Sequence, residues 1–125
     1  MAAVRQIQVT FDCADPERVA RFWAEVLGYE LEDYDGSCAC FDPAGVGPRL
    51  YFQQVPEAKV VKNRVHVDVR AGTGLVGEER LAVLRAESDR LVALGATVFQ
   101  VLLADEENES CIVMQDVEGN EFCLD

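Results

Sequence analysis

Basic residues are scarce in this 125-residue chain: 11 Lys and Arg stand against 23 Asp and Glu, a formal charge of -12. From Asp105 to Asp125 there are eight acids and no base. A nucleic-acid groove is lined by Lys and Arg, so this balance argues against DNA or RNA as a partner. An anionic membrane surface would repel the chain for the same reason. No run of 18 apolar residues occurs, so no segment reads as a membrane span. The opening MAAVRQIQVTFDCAD enters an alternating pattern at once and lacks the basic-then-apolar order of a secretory leader. Cysteine is present five times, at 13, 38, 40, 111 and 123. The count is odd and the spacing matches no zinc-finger series, so reduced thiols in the cytoplasm are expected. Gly72, Gly74 and Gly77 lack the Lys-Ser/Thr ending of a phosphate-binding loop, and Asp116–Asn120 lacks the spacing of a calcium loop. Histidine occurs once, at 66.

What is present is foldable. Half the residues are hydrophobic and 27% are charged, which fits one globular domain spanning 1–125 rather than a disordered chain. VRQIQVTF (4–11) alternates like a half-buried strand. Asp15-Pro16 caps and opens a helix whose buried stripe is Val19, Phe22, Trp23, Val26 and Leu27, stopped by Gly28. Extended pieces follow at 29–34, 37–41 and 49–55, the first two joined by an Asp35-Gly36 hairpin turn. RVHVDVR (64–70) alternates again. A helix from about 77 to 94 carries Leu81, Leu84, Leu91 and Leu94, with Ser88 interrupting that side. Strands are expected at 97–103, 111–115 and 121–124. The last two are joined by a turn whose dihedrals come from Gly119 and Asn120. The order strand, helix, three strands thus occurs twice, in modules of about 4–56 and 64–125.

Strand parity sorts the side chains. Ile7, Val9, Phe11, Leu50, Phe52, Val65, Val67, Val69, Phe122 and Leu124 are the packing set. The opposite face is polar: Gln8, Tyr51, Gln53, Arg64, His66, Asp68, Arg70, Glu121 and Cys123. If the sheets curl, this face lines a cup suited to a small ligand. Tyr51 can stack on an aromatic ligand, and an inward Arg64 or Arg70 suits an anionic group or a pair with Asp68. His66 can act as acid or base, and Cys123 as a nucleophile beside it.

Several stretches resemble the vicinal oxygen chelate superfamily, which includes glyoxalase I, bleomycin-resistance proteins and extradiol dioxygenases. They are Asp15-Pro-Glu-Arg-Val-Ala-Arg-Phe-Trp23, Leu27-Gly28-Tyr29, Arg64-Val-His-Val-Asp68, Arg90-Leu-Val-Ala-Leu-Gly-Ala96 and Asp116-Val-Glu-Gly-Asn-Glu-Phe-Cys123. The chain looks most like small bacterial glyoxalase-like domains. The resemblance implies an α+β fold: two βαβββ modules forming a cupped, incomplete eight-stranded barrel with helices outside. It also implies a homodimer. The family's metal positions fall on Gln8, Gln53 (or Tyr51 in a shifted register), His66 and Cys123. Cys123 replaces the usual Glu, and two of the donors are neutral amides, which bind a hard cation poorly.

The reading that follows is a small-molecule binding protein of the glyoxalase and bleomycin-resistance type, with no metal expected. His66 and Cys123 are its candidate catalytic groups, and Gln8, Tyr51, Gln53, Arg64, Asp68 and Glu121 its ligand contacts. One alternative is a lyase, isomerase or dioxygenase using Zn, Ni or Fe on Gln8, Gln53, His66 and Cys123, with Asp68 or Glu121 able to supply an oxygen. The other is a metal-free enzyme using His66 and Cys123.

Overall fold

The computed structural model describes residues 2–125. The chain divides into two compact units, residues 1–59 and 60–125. In the first unit the order is β1 (Gln8–Cys13), α1 (Pro16–Leu27), β2 (Glu30–Tyr34), β3 (Ser37–Phe41) and β4 (Arg49–Gln54). The second repeats it with β5 (Val67–Val69), α2 (Gly77–Ala93), β6 (Thr97–Leu102), β7 (Cys111–Gln115) and β8 (Glu121–Leu124). Each unit is a four-stranded sheet with one helix, in the orders β1-β4-β3-β2 and β5-β8-β7-β6. The first strand of each unit pairs parallel to the last, and the other pairings are antiparallel. The βαβββ order expected twice from the sequence is therefore observed in each unit.

α1 starts where Asp15 accepts a hydrogen bond from the Arg18 amide at 3.2 Å, with Pro16 in the first turn. It ends at Gly28, whose φ of 68° is open to glycine at little cost. Between these ends the 3.6-residue spacing buries Val19, Phe22, Trp23 and Val26. Trp23 lies 5.5 Å from the Phe11 ring, and Phe11 stacks on Phe52 at 5.0 Å. Cys38 and Cys40, two apart on β3, share the buried face and complete this core.

Three packing expectations fail. Ile7 and Val65 are 72% and 83% exposed. Both precede the paired residues of their strands: β1 begins at Gln8, and β5 spans three residues rather than 64–70. Apolar alternation without a ladder to hold it does not define a face. On α2 the buried stripe is Arg80, Leu84, Ser88 and Leu91, so Ser88 lies inside it and Leu94 outside. Arg80 is accommodated because Nε donates to the Ser110 carbonyl (3.1 Å) and Nη1 to that of Gly72 (3.0 Å). In the β7–β8 turn Gly119 alone has positive φ, 87°. Asn120 instead serves the buried Asp116 carboxylate, donating from its backbone and side-chain nitrogens.

Candidate functional site

On the second sheet Ile112, Met114, Phe122 and Leu124 point into the core, and the residues between them face the other way, half-buried. β5 and β8 run parallel with Asp68 opposite Cys123. His66 is two residues before Asp68, just outside the paired strand. The imidazole Nε2 and Asp68 Oδ1 are 3.1 Å apart. Donor atoms of His66, Asp68 and Cys123 all lie within 4.8 Å of one another. Residues two apart on a strand are separated by about 6–7 Å along the backbone. These side chains lean together and close that gap, which backbone spacing alone does not reveal.

Electrostatics set the state of the thiol. Burial first, then the negative charge of Asp68, push Cys123 up to about 11. Cys123 is thus a neutral thiol at pH 7 in the metal-free protein. A resting thiolate needs the opposite shift, so in the metal-free protein Cys123 as a nucleophile would depend on His66 as its base. A cation among the three donors reverses the balance, because its charge stabilises the thiolate and the carboxylate together. Imidazole, carboxylate and thiolate are all acceptable zinc ligands, and a tetrahedral ion spaces such donors by about 3.3–3.8 Å. The His66–Asp68 separation is already close to that, and the Cys123 sulfur lies within 4.8 Å of both donors. Three protein ligands leave a position open. The donor set therefore fits a divalent ion of zinc type.

The other sequence candidates are placed differently. Glu121 shares the face of Cys123, but its carboxylate accepts from the Asn63 amide at 2.8 Å and its carbonyl from Asn63 Nδ2 at 3.1 Å. It is held as a brace for the segment before β5. Arg70 pairs with Asp125 at 2.6 Å rather than with Asp68, and Arg64 is exposed outside the strand. On the first sheet Gln8, Tyr51 and Gln53 do occupy the face opposite α1. Their amides are engaged locally: Gln8 Oε1 accepts from Arg49 Nη1 at 2.7 Å, and Gln53 Nε2 donates to Asp12 at 2.7 Å.

That face also holds a group the sequence reading passed over. Arg49 Nη2 donates to the Tyr34 hydroxyl at 2.9 Å, and Tyr34 donates in turn to Glu32. The guanidinium carbon is 5.8 Å from the Tyr34 ring centre and 5.7 Å from that of Tyr51. The signal was available, since Arg49, Tyr51 and Gln53 are spaced by two on one strand.

Residues 8–124 match the family of the glyoxalase-like domain. The chain belongs to that family. A glyoxalase/bleomycin resistance protein/dioxygenase family enzyme from Burkholderia phytofirmans PsJN superposes with a TM-score of 0.70 at 14% identity, covering 94% of each chain. A hypothetical protein from S. aureus does so at 0.65 and 12%, covering 98% of this chain and 97% of the other. A point mutant of the fosfomycin resistance protein FosX from Listeria monocytogenes, solved with Mn(II) and 1S,2S-dihydroxypropylphosphonic acid, gives 0.68 at 15%, covering 99% of this chain and 90% of the other. At such identities the likeness is one of fold. No curated protein matches the chain. Among the described residues, no helix of this glyoxalase-like protein is long and apolar enough to cross a membrane.

Proposed function

We propose that this glyoxalase-like protein is a metal-dependent enzyme of the lyase, isomerase or dioxygenase type acting on a small molecule, with His66, Asp68 and Cys123 as its metal donors. The observation that carries the reading is the clustering of those three donors within 4.8 Å on one sheet face. It favours the metal-using alternative over a degenerate binding pocket. Asp68 moves from ligand contact to donor and supplies an anionic oxygen that the amides of Gln8 and Gln53 lack. The Mn(II) complex of FosX supports the choice by analogy of fold.

A bound divalent ion would supply a Lewis acid that polarises a substrate oxygen or acidifies a water. The protein's own groups do the rest. In the metal-free protein the 3.1 Å contact between His66 Nε2 and Asp68 Oδ1 holds these two donors side by side. Asn63 holds Glu121, and with it the start of β8, in register with the segment that bears His66. Half exposure of His66 and Asp68 leaves the donors accessible to a ligand from solvent.

The test is metal analysis of protein purified without chelator, followed by titration with Zn(II), Ni(II) and Fe(II). One equivalent bound in the wild type and lost in His66→Ala supports the reading. Failure of all three ions to bind at micromolar concentration overturns it and returns the metal-free binding protein as the better account.

A further inference from the structure

The first unit carries a candidate site built from its own residues alone. A cavity of about 580 Å³ opens at the start of β1 and β4, lined among others by Arg5, Ile7, Gln8, Asp42, Val46 and Arg49. Its charge is unusual for this molecule. In a chain of net charge -12 the cavity holds two arginines and one carboxylate. That carboxylate is already answered: Asp42 accepts from the backbone amides of Ala44 (2.8 Å), Val46 (3.1 Å) and Gly47 (2.8 Å). Glu32, ion-paired with Arg49 at 3.7 Å, balances part of the remaining charge, so the cavity is set apart by its two arginines rather than by a net positive charge.

Arg49 is held ready. Of the five N–H donors of a guanidinium, one goes to Gln8 Oε1 and one to the Tyr34 hydroxyl. Glu32 forms an ion pair with Arg49 at 3.7 Å, longer than a hydrogen bond, and its carboxylate accepts the hydrogen bond of the Tyr34 hydroxyl. Three donors remain on a planar group fixed from two sides and flanked by the rings of Tyr34 and Tyr51. A planar fork with spare donors matches a carboxylate in two-point contact, and fixing it beforehand lowers the ordering cost of binding. Beside it Ile7 and Val46, 72% and 88% exposed, form an uncovered apolar wall.

We propose that this cavity binds a small organic acid, its carboxylate on Arg49 and its apolar body against Ile7 and Val46. The site stands whether or not the second unit holds a metal. Phenylacetate is a suitable probe and phenylacetamide its neutral counterpart, titrated calorimetrically into EDTA-treated protein so that the metal site plays no part. Phenylacetate should bind, and both the amide on wild type and phenylacetate on Arg49→Gln should be weaker by about tenfold or more. Amide NMR shifts in the wild type provide a readout that does not depend on a variant folding. Phenylacetate should move Gln8, Arg49 and the 42–48 loop. Equal binding of acid and amide, wild-type affinity in a folded Arg49→Gln, or shifts confined to other residues would each overturn the proposal. So would the absence of phenylacetate binding at about 10 mM, the weak end of specific affinity.

Discussion

Asp68 stands directly opposite Cys123 in the parallel pairing of β5 with β8. That one register position places a carboxylate beside a thiol and, through the 3.1 Å contact, beside an imidazole. Without a cation the arrangement is electrostatically unfavourable for ionising Cys123, whose thiol is pushed up to about 11. With a cation the same closeness becomes useful.

Metal affinity should therefore depend on pH through Cys123. A thiol protonated throughout the neutral range must lose its proton on binding. Each pH unit between about 6 and 8 should strengthen Zn(II) binding, with about a tenfold share per unit owed to that one proton. Cys123→Ser should reduce the slope by one proton as well as weakening the site. Competition titration against a chromophoric chelator measures both. An unchanged slope would remove Cys123 from the donor set.

Asp68→Asn should move two properties in opposite directions. Removing the carboxylate charge lowers the Cys123 thiol towards its ordinary value, although burial, the larger cause, keeps it above. Iodoacetamide at about pH 9 should then alkylate Cys123 faster in the metal-free variant than in the metal-free wild type. Zn(II) affinity should fall in the same variant, because a donor is lost. A structural disturbance alone would not combine faster alkylation with an unchanged thermal transition, so both are measured together.

The core thiols of the first unit predict an alkaline limit to its stability. Cys38 and Cys40 are pushed up from the ordinary 9.0 to about 11 and about 12, mainly by burial. A raised pKa in the folded state means that the proton favours folding. The contribution is whole below pH 9, declines as the unfolded thiols ionise, and is gone once the folded values are passed. Urea midpoints should fall between about pH 9 and 12, and Cys40→Ala should flatten that fall while lowering the plateau for lost packing.

Asp116→Ala tests what positions β8. The buried carboxylate accepts from the amides of Glu118 (2.9 Å) and Asn120 (3.0 Å) and from Asn120 Nδ2. Losing these charge-assisted bonds should cost about 2–3 kcal/mol in urea unfolding. Zn(II) affinity should fall too, because the turn sets the register that carries Cys123. Stability unchanged within about 0.5 kcal/mol would show the turn to be held by Gly119 and its backbone bonds alone.

Much of this molecule was legible in the sequence because its signals are local. Asp15-Pro16, Gly28 and Asp35-Gly36 fix element ends through capping and turn chemistry, and the structure has each where the chain announces it. Strand parity correctly placed Asp68 and Cys123 on one face. It could not show that side chains two apart lean to 3.1 Å, which depends on rotamers. Nor did it weigh Arg49, whose significance lies in Tyr34, two strands away in the sheet. Alternation misled at Ile7 and Val65, where a pattern continues past the end of the hydrogen-bonded ladder. On α2 it misled again, for a reason that can be measured.

The leucine spacing of α2 makes Leu81 a core residue and gives Arg80 to solvent, whereas the structure buries Arg80 and leaves Leu81 only half-covered. The guanidinium is inside because two loop carbonyls, Ser110 and Gly72, have it as donor. Gly72 leaves room for it: a Cβ there would come within 3.0 Å of Nη1. Arg80→Leu would suit the apolar pattern while leaving the Ser110 carbonyl without that donor, at about 1–3 kcal/mol, whereas the Gly72 carbonyl still accepts from the Leu75 amide at 3.0 Å. Leu81→Ala removes a partly covered side chain and should cost about 1–2 kcal/mol, below the 2–5 kcal/mol of the fully buried Leu84→Ala. Urea unfolding of the three variants orders them. If Leu81→Ala proved the most damaging, the helix would be rotated from its place here, and the leucine pattern would have been the better guide.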